Sequence, residues 1–322
     1  MSTATATAHP NIALCKYWGK RERQLNLPAV PSISLTLAPF STTTTVTWGA
    51  EQDAFEFNGA PASEAEAAKV FAVLDLVDSW RPRVRVVSHN DFPTAAGLAS
   101  SSSGFAARVL AATAAAGQKP SAEQLSILAR RGSGSASRSI FGGWVEWKAG
   151  ERGDGMDSYA WPIENEDFWD VRMVVAIFDA GPKEISSREG MALTQATSPY
   201  YPAWVASAPA DVAAARAAIR GRDLDALAPV MERSALRMHA CMMAADPPVN
   251  YWKSGSVWAQ QTVASLRKKG VRCAWTMDAG PNVKVLCERD DALEVAARLG
   301  KVAERVQVLS AGGPARLVSN PE

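Results

Sequence analysis

Five segments of this 322-residue chain concentrate hydroxyls, cations, glycines or a carboxylate in patterns suited to chemistry on anions. The most informative reads Pro93-Thr94-Ala95-Ala96-Gly97-Leu98-Ala99-Ser100-Ser101-Ser102-Ser103-Gly104. Small residues let backbone N–H groups close on an anion, and the positive end of a following helix strengthens the attraction. The serines add donors and can help hold Mg²⁺ beside a phosphate. A nucleotide phosphate is therefore the expected ligand, although no GxxxxGK[ST] pattern occurs. A Ser/Gly linker is the alternative, disfavoured because strand and helix signals flank the loop directly.

Four further segments carry unusual chemistry. Asn11-Ile12-Ala13-Leu14-Cys15-Lys16-Tyr17-Trp18-Gly19-Lys20 holds two lysines, a phenol and an amide, either phosphate donors or a strand end with solvated lysines. Gly132-Ser133-Gly134-Ser135-Ala136-Ser137-Arg138-Ser139 fails as a dinucleotide fingerprint, since a helix precedes it and position 137 is serine. It suits an anion-binding turn in which Arg138 offers a bidentate fork, or a plain surface loop. Lys183-Glu184-Ile185-Ser186-Ser187-Arg188-Glu189-Gly190-Met191 can cap a helix or hold a second anion. In Thr276-Met277-Asp278-Ala279-Gly280-Pro281-Asn282, Asp278 is either a turn residue or a base at a strand tip. Nothing supplies a Ser-His-Asp triad or a glycosidase carboxylate pair.

The elements that must position these segments follow from periodicity. Arg83–Ser88, Ile33–Leu37 and Thr42–Trp48 alternate like half-buried strands, and Trp144–Trp147 reads as another. Helices are expected near Ser63–Ser79 and Ser121–Arg131, and from Phe105 onward, after the serine run. Val171–Phe178 is an apolar strand of the kind buried on both faces. Beyond it, Ala208–Ile219, Leu224–His239 and Ser256–Lys269 have helical periodicity. Strands are expected at Val271–Met277 and Val283–Cys287, with the last at Val306–Leu309. This order predicts two α+β domains, 1–170 and 171–322, facing a cleft.

Composition narrows the class. Hydrophobic content of 47% with 21% charged residues describes a globular chain with a large core. A net charge of +1 gives no reason to expect nucleic acid or a membrane surface as partner. No apolar run reaches the roughly 18 residues of a membrane span, and the small, polar N-terminus lacks signal-peptide character. Cys15, Cys241, Cys273 and Cys287 are scattered, as expected of reduced, buried cysteines in the cytoplasm. The three separated histidines make zinc improbable.

Taken in order, the segments resemble the mevalonate diphosphate decarboxylases of the GHMP kinase superfamily. The match runs through Asn11–Leu14, Lys16–Lys20, Pro93–Ser101, Gly134–Ala136, Arg138-Ser139, Gly142-Gly143, Ser187-Arg188, Gly190-Met191, Arg237–Ala240 and Met277–Asn282, of which KYWGK and MDAGPN are the most specific. The resemblance implies a two-domain GHMP kinase-like fold, with an ATP-binding N-terminal domain and the active site between domains. It implies phosphorylation of the C3 hydroxyl of mevalonate 5-diphosphate by ATP, then loss of phosphate and CO₂ to give isopentenyl diphosphate for isoprenoid biosynthesis. Asp278 matches the catalytic aspartate, Arg138 the arginine on the substrate carboxylate, and Lys16 a lysine near the transferring phosphoryl group. Tyr17, Lys20, Ser133, Ser187 and Arg188 match positions on the substrate diphosphate, with Met191 and Ala279 beside them. Gly97, Leu98, Ala99, Ser100, Ser101 and Ser102 match the ATP loop, with Ser101 or Ser102 on Mg²⁺. A homodimer is implied as well. The alternative is a kinase of the same superfamily that phosphorylates mevalonate or a mevalonate phosphate and stops there.

Overall fold

A computed structural model describes residues 1–92, 100–181 and 183–318. Gly97, Leu98 and Ala99 of the expected ATP loop lie outside them. The first half contains β1 (Ser2–Ala8), β2 (Asn11–Cys15), β3 (Lys20–Glu22), β4 (Leu27–Pro28), β5 (Ser32–Ala38) and β6 (Thr42–Trp48). Then come β7 (Ala54–Phe57), β8 (Ala60–Pro61), α1 (Glu64–Val77), β9 (Val84–Asn90), α2 (Ser100–Ala115) and α3 (Ala122–Gly132). A 3-10 turn over Gly134–Ile140 leads to β10 (Trp144–Trp147) and β11 (Ala160–Glu164). The second half contains β12 (Val171–Ile177), α4 (Ser187–Thr197), α5 (Tyr201–Arg220), α6 (Leu224–Met243) and α7 (Ser254–Arg267). It ends with β13 (Cys273–Met277), β14 (Val283–Glu288), α8 (Ala292–Leu299), β15 (Arg305–Ala311) and β16 (Arg316–Val318).

The alternating threonines of β6 turn Thr42, Thr44, Val46 and Trp48 inward within the sheet β16-β1-β6-β9-β7-β8. That inner face packs on α1, α2 and α3, where Phe105, Ala106, Val109 and Ala112 meet Val46, Val84 and Val86. Helices α1 and α3 begin on capping boxes, Ser63 with Glu66 and Ser121 with Gln124. Helix α2, however, starts at Ser100 rather than Phe105, so all four serines are helical. Packing explains the shift: Ser102 and Ser103 are buried, and the Ser103 hydroxyl meets that of Thr42 at 2.6 Å. Burial against the sheet outweighs serine's modest helix propensity.

The second sheet runs β11-β10-β5-β15-β12-β14-β13, with β2 also paired to β5. Strand β12 is buried on both faces as expected. Met173 and Val175 meet α5 and α6 on one side, whereas Val174 and Ala176 meet α7 and α8 on the other. Hydrogen bonding does not stop at residue 170, because β15 pairs with β5 as well as β12. Nor is β15 the last strand: β16 returns to the edge of the first sheet beside β1. All four cysteines are free and buried. Among the described residues no helix is long and apolar enough to cross a membrane.

The turn after β2 depends on Gly19. Its φ is +96°, and a Cβ there would overlap the Tyr201 hydroxyl on α5. Gly59 also has positive φ (+82°) but has open space around it. Gly59→Ala should therefore cost only the backbone strain, about 1–2 kcal/mol, while Gly19→Ala should cost clearly more. Chemical denaturation of both variants checks this, and equal losses would contradict it.

Candidate active site

Strand β2, registered on β5 from Asn11 to Cys15, delivers Lys16 at its end. The Lys16 backbone N–H donates to Ser234 Oγ of α6 (2.9 Å), which anchors that turn. The β13–β14 hairpin carries Asp278 just past β13 and Lys284 inside β14. These three side chains converge. Lys16 Nζ donates to Asp278 Oδ1 at 2.6 Å and to the Ala13 carbonyl at 2.7 Å. Lys284 Nζ lies 3.2 Å from Asp278 Oδ2 and donates to the Asn282 carbonyl at 3.3 Å. Both lysines are 2% exposed, whereas 33% of the Asp278 side chain opens toward the cleft.

Arg138, in the 3-10 turn, is held by neutral groups. Its Nε donates to Asn11 Oδ1 (3.2 Å) and Ser34 Oγ (3.0 Å), and its Nη1 to Ser32 Oγ (2.7 Å). Its guanidinium also lies over the Trp147 ring. Among the described residues, none of its hydrogen bonds goes to a carboxylate. Asn11 completes the clamp by donating to Ser139 Oγ at 2.8 Å. Tyr17 stacks obliquely on Trp147, and its hydroxyl is buried without a partner among the described residues. Lys20 Nζ donates to Asn26 Oδ1 at 2.5 Å.

One cleft of about 330 Å³ gathers the predicted residues. Lys16, Tyr17, Lys20, Ser133, Arg138, Ser187, Arg188, Met191, Asp278 and Ala279 all line it, and so does Ser101. Ser100 and Ser102 share the first turns of α2 with Ser101 but do not line this cleft, and Ser102 is buried. The α4 segment is presented by a capping box of Ser186 with Glu189, so Ser187 and Arg188 sit in the helix's first turn.

A model of the diphosphomevalonate decarboxylase-like N-terminal domain matches residues 8–160, and one of the mevalonate 5-diphosphate decarboxylase C-terminal domain matches 173–311. The chain belongs to the diphosphomevalonate decarboxylase family. The Aspergillus fumigatus diphosphomevalonate decarboxylase is 38% identical over 320 residues, covering 92% of this chain and 79% of that protein. The crystal structure of mevalonate diphosphate decarboxylase from Staphylococcus aureus superposes with a TM-score of 0.94 at 38% identity, covering 99% of this chain and 98% of that one. A structure of the Enterococcus faecalis mevalonate diphosphate decarboxylase gives 0.91 at 39% identity over 99% of each chain. The expected α+β, GHMP kinase-like fold is that of these structures. Membership selects the decarboxylase over a kinase that stops after phosphorylation.

Electrostatics in this family member follow from the geometry. Burial pushes the Asp278 carboxyl upward, but Lys16 and Lys284 outweigh it and hold the group well below the usual carboxylate range. Burial lowers Lys16 to about 8 despite its ion pair with Asp278. Burial also lowers Lys20 to about 8, with repulsion from Arg188 and Arg23 adding to it.

Several residues that line or support the cleft escaped sequence reasoning. Lys284 sits in the apolar run Val283-Lys284-Val285-Leu286-Cys287, and a lone lysine inside a buried strand was the available signal. Ser34 reads as a polar position of the alternating strand Ile33–Leu37, and Ser32 lies just outside that range. Lys69, on α1, lines the cleft yet reads as an exposed helix lysine.

Both lowered lysines face a cleft built for anions, so their charge should decide its affinity. Calorimetric titration with inorganic diphosphate should show binding weaken as pH rises through about 8, where Lys16 and Lys20 lose their protons. Affinity independent of pH from 7 to about 10, the ordinary lysine range, would contradict this assignment.

Proposed function

We propose that the chain carries out the ATP-dependent decarboxylation of mevalonate 5-diphosphate to isopentenyl diphosphate, releasing ADP, phosphate and CO₂, with the cleft residues in the following roles. One observation carries the assignment. An ionised carboxylate, Asp278, shares the cleft with an arginine, Arg138, whose hydrogen bonds among the described residues all go to neutral groups.

Asp278 keeps oxygen lone pairs beyond those used by the lysines and takes the proton of the C3 hydroxyl. A placed base of this kind contributes roughly 10²–10⁴-fold. Lys16 neutralises charge where the phosphoryl group transfers, a reaction governed by positioning and charge stabilisation. Loss of phosphate from a tertiary carbon leaves positive charge at C3. The electron pair of the bond to the carboxylate then forms the new double bond as CO₂ departs. Arg138, fixed by Asn11, Ser32 and Ser34, presents its fork to that carboxylate before it leaves. Tyr17, Lys20, Ser133, Ser187 and Arg188 bind the diphosphate, with Met191 and Ala279 as walls.

ATP is assigned to the segment Gly97–Ser102, of which Ser100, Ser101 and Ser102 open α2. Ser101, exposed and 3.4 Å from the Ser133 hydroxyl, suits a phosphate or Mg²⁺ better than buried Ser102. Among the described residues no cluster of three His, Cys, Asp or Glu could hold a metal. With Ser101 as a protein hydroxyl beside it, a Mg²⁺ would be held mainly by phosphates and water and would neutralise phosphate charge. Residues 1–170 then form the ATP side and 171–322 supply Asp278 and α4. A cytoplasmic homodimer completes the proposal, supported by the family resemblance and by four free, buried cysteines.

Incubation with Mg-ATP and mevalonate 5-diphosphate should release ADP and CO₂ in equal amounts; ADP without CO₂ would overturn the reading. Asp278→Asn should lower kcat by roughly 10²-fold or more. Arg138→Gln should lower kcat/KM by roughly tenfold or more, since a charge-assisted hydrogen bond contributes about 1.5–3 kcal/mol. A variant with wild-type kinetics would remove that residue from its role.

A further inference from the structure

We infer that Lys284 is a positioning residue for the reaction: it holds the second oxygen of Asp278, so that the carboxylate stays aimed and ionised when anions fill the cleft. This rests on the assignment of Asp278 as the base. Lys284 is 2% exposed inside β14, where Val283, Val285, Leu286 and Cys287 are apolar core. A buried ammonium in such a strand is costly to desolvate. Its side chain ends 3.2 Å from Asp278 Oδ2, opposite the oxygen taken by Lys16. Among the described residues Asp278 is its one carboxylate partner. Together the two lysines fix both carboxylate oxygens and therefore the plane of the group.

The surroundings show why one lysine is not enough. The titratable groups facing Asp278 are Lys16 beyond β2, Lys284 on β14, Arg138 in the 3-10 turn, Lys183 before α4 and His239 on α6. Burial and the neighbouring Lys16 lower His239 to about 3, so it adds no charge at neutral pH. Arg138 is committed to a substrate carboxylate in the proposed mechanism. A diphosphate and a nucleotide entering the cleft bring several negative charges, each pushing Asp278 toward its protonated form. Lys183 and Lys284 both lie outside the cleft lining, and of the two Lys284 is the one in ion-pair contact with Asp278.

The experiment is the pH dependence of kcat, which reports the ligand-filled cleft, for full-length Lys284→Met, Lys284→Gln and Lys284→Arg, with cooperative melting as the folding control. Both neutral variants should lower kcat at pH 7 by roughly tenfold or more, leave KM for mevalonate 5-diphosphate nearly unchanged, and move the acidic limb up by about one pH unit. Lys284→Arg should restore the limb. A loss of kcat with the limb unmoved, wild-type kinetics in the neutral variants, or loss of folding in all three would each overturn the inference. Asp278→Asn separates the two claims. If it is inactive while the neutral Lys284 variants are normal, only the Lys284 role falls; if it retains turnover, the base itself is misassigned.

Discussion

The ion pair between Lys16 and Asp278 ties together parts of the chain that are 262 positions apart in sequence. Its two ends come from different halves: Lys16 from the turn after β2, Asp278 from the β13–β14 hairpin. Burying Lys16 alone would be unfavourable, as its lowered proton affinity records. Asp278 offsets that cost, and Lys284 on its other side tips the balance toward a fully ionised carboxylate. The pair therefore fixes the geometry between halves and sets the charge state of the base with the same atoms.

Much of the surrounding architecture serves to deliver those atoms accurately. Strand β5 is the shared support: it pairs with β2, β10 and β15. Its alternation sends Ile33, Leu35 and Leu37 into the core, while Ser32 and Ser34 reach Arg138. One strand thus carries core and site on opposite faces. Arg138 is held by hydroxyls and an amide, neutral acceptors that orient it without neutralising it, so its charge is left for a ligand.

Local signals made a large part of this legible. Thr42–Trp48, Val171–Phe178 and the capping box at Ser121 announce their elements because period and cap chemistry are short-range. The roles of Lys16, Arg138 and Asp278 come from the resemblance of their segments, taken in order, to a known family, because singly each also reads as a strand end, a surface loop or a turn. What stayed hidden depends on distant contacts. The start of α2 at Ser100 is decided by packing on β6, and the pairing of β16 with β1 joins residues at opposite ends of the chain. Lys284 is only half hidden: a lysine in an apolar strand is a signal, but only the hairpin places it against Asp278.

The account stands on Asp278 remaining ionised while mostly surrounded by protein. Its carboxyl carbon can be followed by ¹³C NMR in aspartate-labelled protein, assigned by comparison with Asp278→Asn. The account predicts a chemical shift that stays at the ionised value well below the ordinary aspartate midpoint of about 3.9, as far down as the protein remains folded. A titration at or above that ordinary midpoint would contradict it.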